Sequence, residues 1–227
     1  MPRRISALRI GRNGRRVMVE FDGTESVPLT KTAAAGLHVG QLLDGQEIER
    51  RAQESRTEDS YARCLGLLAR RPRSRAELER YLAGRRLSGS EREAVLARLA
   101  ERGWINDREF ARQWIENRQE FRPRSGRALR MELRRFGVTE DETREALQGM
   151  DDAAAALSAA RKKTSRLARA VGKDPQARLQ FQKKMTAYLA SRGFDYELSR
   201  ETARSVWEES LTMDGEGESP GDEGGKQ

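Results

Sequence analysis

Apolar residues along this chain recur in pairs four positions apart, and three of these pairs are followed by the same pattern. Five residues after each pair comes another apolar residue, and the next residue has a side chain that can cap a helix. The three sets are Leu78, Leu82, Leu87 and Ser88; Leu129, Leu133, Val138 and Thr139; and Met185, Leu189, Phe194 and Asp195. Because each pair shares one face of a helix and each cap predicts the start of the next, the sets predict a repeat of roughly 50 residues.

Each predicted repeat contains a helix before the apolar pair and another after it. In the first repeat, Tyr61, Cys64 and Leu68 line the leading helix, and Val95 and Leu99 line the trailing one. A single unit of this size buries little surface alone, whereas stacked units share an interface. The expected fold is therefore mainly α, with three tandem three-helix, helix-turn-helix-like repeats in an elongated array.

The N-terminal residues show a different pattern, in which apolar and polar positions are interspersed between residues 5 and 29. Asn13-Gly14 separates two such runs, and Asn-Gly is a strong signal for a tight hairpin turn. A second turn is predicted at Asp22-Gly23. We therefore expect two or three antiparallel strands, which need to pack on the helices to be stable.

These patterns give the predicted boundaries. Residues 1–45 form a β-ribbon extension, and residues 46–56 form a linker or a short helix. The three repeats occupy residues 57–105, 106–150 and 151–212. Residues 213–227 are rich in Gly, Glu, Asp, Ser and Pro, a composition that predicts a disordered acidic tail.

The charge of the chain adds a functional expectation. The formal net charge is +8, although residues 214–227 contain five acidic residues and one Lys, so that the rest of the chain is more basic still. Arg greatly outnumbers Lys, and its planar guanidinium suits phosphate and carboxylate groups. Such a body predicts a polyanionic partner, either nucleic acid or a protein coated with it. The alternative is that Arg serves only as a surface residue.

The densest basic cluster surrounds the predicted middle helix of the second repeat. On a helical wheel, Leu129, Leu133 and Phe136 lie on the side opposite most of the arginines. The candidate binding residues here are Arg118, Arg122, Arg124, Arg127, Arg130, Arg134 and Arg135. The candidates on the long helix of the third repeat are Arg161, Lys162, Lys163 and Arg166. These residues predict strongly salt-dependent binding, and the alternative is a solvated helix face that Glu120 and Glu132 partly neutralise.

Catalysis has little support in the sequence. The only histidine is His38, and the only cysteine, Cys64, occupies an apolar helical position typical of a core residue. No Gly-rich phosphate loop or metal-binding motif occurs, so we expect no catalytic residues, no metal and no cofactor. The lone cysteine and the lack of an apolar run of roughly 20 residues favour a cytoplasmic protein that does not enter a membrane. Trp104 and Trp114 are expected to be packed, Trp104 between the first two repeats.

An ordered series of sequence words resembles the RecX regulatory family. The series begins with Arg-Pro-Arg-Ser-Arg-Ala-Glu-Leu at 71–78 and continues with Gly-Trp-Ile-Asn-Asp-Arg-Glu-Phe-Ala at 103–111 and Phe-Gly-Val at 136–138. The resemblance extends over roughly residues 5 to 210 and is densest from 71 to 147. Asn106-Asp107 and Phe136-Gly137 depart from the usual words of the family, and the third repeat is longer and rich in Ala.

The resemblance implies a function and a partner. Proteins similar to RecX bind the RecA recombinase, lie in the groove of its filament on single-stranded DNA, and inhibit strand exchange, ATP hydrolysis and coprotease activity. The implied partners are the RecA filament and single-stranded or duplex DNA. The implied role is regulation of DNA recombination, DNA repair and the SOS response, by a monomer that is not an enzyme.

Two other functions remain open. A helix-turn-helix DNA-binding protein acting without RecA predicts a specific duplex site and a dimer. The middle helix of the second repeat offers Arg but few Asn or Gln residues to read adenine, which favours contacts with the DNA backbone. An enzyme of unknown type predicts turnover without RecA.

Overall fold

The computed structural model describes residues 1–12, 14–22, 25–167 and 175–215, without the side chains of 165–167 and 212–215. The chain divides into two compact units, Met1–Phe110 and Ala111–Gln227. The predicted turns at Asn13-Gly14 and Asp22-Gly23 each include a residue outside the described ranges. The side chain of Arg166 is also not described. Residues 213–215 of the predicted disordered tail are helical instead, and the rest of the tail, from residue 216 onward, lies outside the described ranges.

The described residues form a small N-terminal sheet followed by helices, which confirms the prediction of a mainly α fold with a small N-terminal β element. The strands are β1 (Arg3–Ile10), β2 (Arg16–Phe21), β3 (Ser26–Thr30) and β4 (Leu42–Leu43). The first three helices are α1 (Gly45–Leu68), α2 (Arg75–Ala83) and α3 (Gly89–Glu101). The next three are α4 (Asp107–Phe121), α5 (Gly126–Phe136) and α6 (Glu140–Ala146), and the last described are α7 (Asp152–Leu167), α8 (Pro175–Ser191) and α9 (Tyr196–Gly215).

The strands form one antiparallel sheet in the order β3-β2-β1-β4. The fourth strand was not predicted, because two residues are too few to give an alternating pattern. Strand β3 lies at one edge, where Pro28 has no N–H to offer and the N–H of Thr30 donates to Ser55 Oγ of α1 at 2.7 Å. Helix α1 thus supplies a hydrogen-bond partner for one backbone group of this edge strand.

Residues 46–56 correct the sequence prediction, because they belong to α1 and form neither a linker nor a short helix. The helix begins at the N-cap Asp44, whose carboxylate accepts the N–H of Glu47 at 2.8 Å. Ile48 and Ala52 of this segment pack against the buried core of the sheet. The second half of α1 contributes to the core of the first three-helix set. The charged composition of the segment hides this narrow apolar stripe.

The three predicted apolar pairs form the centres of the three helical cores. Both members of each pair are fully buried, and the predicted caps Ser88, Thr139 and Asp195 each accept an N–H from the first turn of the following helix. The described helices fall into three sets of three, α1 to α3, α4 to α6 and α7 to α9. The periodic pattern is therefore confirmed at the level of core and cap.

A carboxylate from a neighbouring helix repeats the same contact in two sets. Asp107, the first residue of α4, accepts the N–H of Arg75 at the start of α2 at 2.8 Å. Asp152, the first residue of α7, accepts the N–H of Gly126 at the start of α5, also at 2.8 Å. The first N–H groups of a helix have no partner within it, and its N-terminus attracts negative charge. Each aspartate therefore stabilises the start of the middle helix of the preceding set.

Trp104 corrects another expectation, because its side chain is 55% exposed instead of packed. The N–H groups of Gly103 and Trp104 donate to the carbonyls of Ala100 and Leu99, at 2.8 and 2.9 Å. This bond pattern, with Gly103 at a φ of 72°, is the Schellman ending of helix α3. The backbone is thus satisfied without burial of the indole.

The turn after α8 packs closely against the start of α5. The N–H of Ser125 donates to the carbonyl of Arg192 at 3.3 Å, and Gly193 has a φ of 95°. A Cβ at position 193 would lie 2.6 Å from both Ala128 Cβ and Ser125 Oγ. Only glycine provides both the backbone conformation and the space that this contact needs.

We predict that Gly193→Ala lowers the free energy of unfolding by about 3 kcal/mol, because backbone strain and overpacking add. Gly149→Ala is the matched control, since Gly149 also has a positive φ, of 77°, but a Cβ there would meet no atom within 4 Å. Strain alone predicts a loss of about 1 kcal/mol for the control. Urea unfolding followed by circular dichroism measures both. Equal losses would show that the close approach to α5 contributes nothing.

Candidate nucleic-acid and partner interface on helix α5

Helix α5 separates a buried apolar face from an exposed cationic one. Leu129 and Leu133 are fully buried, whereas Arg127, Arg130, Met131 and Arg134 are all exposed. At 100° per residue, Arg127, Met131 and Arg134 lie on the half of the helix opposite the two leucines, and Arg130 lies at the border of that half. We call these four residues the arginine face. The three arginines are all exposed, as the helical wheel predicts.

The opposite flank of α5 is anchored by one carboxylate. Glu132, whose side chain is 14% exposed, accepts hydrogen bonds from Trp114 Nε1 and Arg118 Nε of α4, both at 2.8 Å. Its other oxygen lies 3.0 Å from Nη1 of Arg124, in the loop between the two helices. Arg118 also lies over the Trp114 ring, and Phe136 meets that ring edge-on at 4.6 Å between centroids. Trp114 is half-buried in this cluster.

The seven predicted arginines of this region therefore divide into two groups. Arg118 and Arg124 hold α4 and the following loop to α5, so their guanidinium groups are engaged within the unit. The sequence alone predicts only partial neutralisation of the arginines by Glu132, because a helical wheel cannot show which neighbouring helix meets the flank of α5. The remaining exposed members are Arg122, Arg127, Arg130, Arg134 and Arg135.

The exposed arginines have weak partners or none among the described residues. Arg130 forms an ion pair with Glu140 at 3.1 Å, but both side chains are about half exposed, and such surface pairs contribute little. Arg127 donates to the carbonyl of Gly193 at 3.4 Å. Arg122, Arg134 and Arg135 form no ion pair with a carboxylate in the described ranges. This surface can accept phosphate or carboxylate groups without losing a strong internal contact.

The predicted basic cluster on α7 has stronger internal contacts than the exposed arginines on and beside α5. Arg161 binds Glu209 through two hydrogen bonds of 3.0 and 2.9 Å, and the pKa of Glu209 is lowered by that contact. Lys162 donates to a main-chain carbonyl at the end of α4, and Lys163 Nζ lies 5.5 Å from the ring centre of a tyrosine on α8. Arg166 has no described side chain. The described members of this cluster therefore all have contacts within their own unit.

The lone cysteine and the lone histidine of the chain differ in exposure. Cys64 is fully buried, and burial raises the pKa of its thiol to about 11, so it is protonated near neutral pH. His38 is exposed. Histidine, cysteine and carboxylate side chains form no cluster of three that could hold a metal ion among the residues described. Within the same ranges, the helices are too short or too polar to cross a membrane.

Comparison with known proteins identifies the helical sets. A family model described as RecX, first three-helix domain, matches residues 61–99, and another described as RecX, second three-helix domain, matches residues 106–147. The regulatory protein RecX of Thermobifida fusca is 39% identical over 152 residues, which cover 63% of this chain and 80% of that protein. The regulatory protein RecX of Mycobacterium avium is 37% identical over 150 residues, which cover 66% of this chain and 86% of that protein.

Two solved structures share the fold. A crystal structure of regulatory protein RecX superposes with a TM-score of 0.60 at 20% identity, covering 86% of this chain and 96% of the other. The crystal structure of RecX from Lactobacillus salivarius gives a TM-score of 0.54 at 17% identity, covering 67% of this chain and 97% of the other. At these identities the likeness concerns the fold alone.

We predict that Glu132→Gln lowers the free energy of unfolding by about 2 kcal/mol, because it leaves two arginines without their shared, poorly exposed carboxylate. Glu140→Gln is the matched control. It removes the exposed ion pair between α5 and α6 and should cost less than about 0.5 kcal/mol. Urea unfolding of both variants measures the difference. Indistinguishable stabilities would mean that Glu132 does not anchor α4 to α5.

Proposed function

The chain belongs to the RecX family of regulatory proteins, and on that premise we propose that it binds the RecA filament on single-stranded DNA. Binding inhibits strand exchange, ATP hydrolysis and the coprotease activity of the filament. The protein acts in the cytoplasm as a monomer, by binding and without turnover or a cofactor. Family membership is the single observation that carries this proposal.

The arginine face is the surface that we propose for this contact. Its guanidinium groups suit the two kinds of anion that a nucleoprotein filament exposes, phosphates of the DNA and carboxylates of the protein. Met131, at one edge of the face, is 56% exposed and adds an apolar contact beside the charges. Helix α5 contains no Asn or Gln, so it favours contact with the backbone over reading of adenine. That composition disfavours a sequence-specific repressor.

The proposal is tested by the ATPase activity of cognate RecA on single-stranded DNA, with this protein titrated in. The test variant combines Arg127→Gln, Arg130→Gln and Arg134→Gln, which keep the length and helix propensity of the side chains. We expect inhibition by the wild type, and about tenfold or more of the variant to reach the same inhibition, since three charge-assisted contacts are lost. The effect should shrink as salt rises.

A second triple variant controls for the loss of charge. It combines Arg144→Gln, Arg178→Gln and Arg200→Gln, which are also exposed but lie on α6, α8 and α9. We expect it to inhibit as well as the wild type. If all three proteins inhibit equally, the regulatory function stands and the arginine face is not its site. If none inhibits, the proposed function is wrong, and binding to duplex DNA without RecA becomes the function to test.

A further inference from the structure

The first unit contains a cleft that shares no residue with the arginine face. Strands β2 and β3, helix α1 and the turn between α2 and α3 enclose about 390 Å³. Val27, Pro28, Ala52 and Leu87 give the cleft an apolar surface, and arginines from three of these elements line it as well. Its size is that of clefts that bind a small ligand or a few side chains, roughly 300–1,000 Å³.

Two of the lining arginines are neutralised within the unit. Arg16 lies 2.9 Å from Asp59, and Arg56 lies 3.0 Å from Glu91 and also pairs with a second glutamate of α1. Glu91 is only 4% exposed and accepts the N–H of Ser88 in its capping box, so it holds Arg56 in place. These two arginines therefore shape the wall of the cleft and add little free charge.

The free positive charge of the cleft comes from Arg85 and Arg86, in the turn between α2 and α3. The guanidinium of Arg85 lies 4.6 Å from the centre of the Tyr81 ring and donates to its hydroxyl, which fixes the position of the charge. Arg86 is exposed. Neither forms an ion pair with a carboxylate in the part of the chain that the structure describes. A partly immobilised fork loses less entropy when an anion binds.

The chemistry of the lining decides between kinds of anion. Single-stranded nucleic acid is usually held by aromatic rings on which its bases stack, and the residues that line this cleft are all non-aromatic. Aliphatic groups beside free arginines suit a peptide that carries carboxylates next to an aliphatic side chain. We propose that this cleft binds a short acidic segment of a partner protein, anchored by one aliphatic side chain between its carboxylates.

The occupant is another protein and not the acidic end of this chain. Residues 214–227 contain acids but no aliphatic side chain except that of Pro220. They supply the charge that the cleft attracts without the apolar anchor. The proposal rests on the cleft alone, and it holds whether or not the arginine face binds the RecA filament.

The test measures fluorescence anisotropy of a labelled peptide in which glutamates flank two leucines, titrated with the full chain. The test variant is Arg85→Gln with Arg86→Gln, and the control is Arg70→Gln with Arg102→Gln, which removes equal charge from exposed sites outside the cleft. We expect the control to bind as the wild type does and the test variant to bind at least about tenfold more weakly, since it loses two charge-assisted contacts. Backbone amide shifts at Val27 and Ala52 should follow the binding.

Two changes to the peptide separate its charges from its anchor. Replacing the leucines by serine, or the glutamates by glutamine, should each weaken binding by about tenfold or more. Equal binding of the serine peptide would overturn the aliphatic anchor, and equal binding by the Arg85 and Arg86 variant would overturn the site. Oligothymidylate is the competitor that tests for nucleic acid. If it displaces the labelled peptide from the wild type at a lower concentration than the unlabelled peptide does, and does not do so with the Arg85 and Arg86 variant, then the cleft binds nucleic acid and the proposal is overturned.

Discussion

The carboxylate of Glu132 joins α4 to α5. Which arginines of the second unit are held internally and which remain exposed depends on this contact. It binds Trp114, Arg118 and Arg124 at 2.8 to 3.0 Å, so that two arginines of the basic cluster around α5 form their contacts within the unit. The same anchor fixes the rotation of α5 about its axis, with Leu129 inward and Arg127, Arg130 and Arg134 outward. One poorly exposed acid thus separates the arginines that stabilise the fold from those that a partner can reach.

The helical sets show how small cores are stabilised by their neighbours. Each set has roughly 50 residues around its fully buried apolar pair, and a domain of that size is only marginally stable alone. The aspartates that begin α4 and α7 bind the first N–H groups of α2 and α5, and Gly193 packs against the start of α5. Helix starts are therefore satisfied by residues of the following set. The middle helix of the second set, which carries the arginine face, receives both kinds of support.

The sequence could predict what depends on periodicity and local capping. The apolar pairs, the caps at Ser88, Thr139 and Asp195 and the two faces of α5 follow from spacing along one helix. Contacts between elements could not be predicted in this way. Spacing does not reveal that Glu132 meets Arg118, that α1 runs unbroken under the sheet through residues 46–56, or that Trp104 is exposed. The cleft at Arg85 and Arg86 also depends on contacts of the α2–α3 turn with β2, β3 and α1, which spacing along one helix does not reveal.

We propose that the arginine face of this RecX-family protein contacts the RecA filament. Met131 lies within that face, and replacing it by the photo-crosslinking residue p-benzoylphenylalanine reports what meets it. Leu179 on α8 is comparably exposed, at 68% against 56% for Met131, and serves as the control position. Irradiation with RecA filaments on single-stranded DNA should give a crosslink from position 131 to RecA or to the DNA, and none from position 179. A crosslink from position 179 alone, or none from either position while ATP hydrolysis is inhibited, would contradict the account.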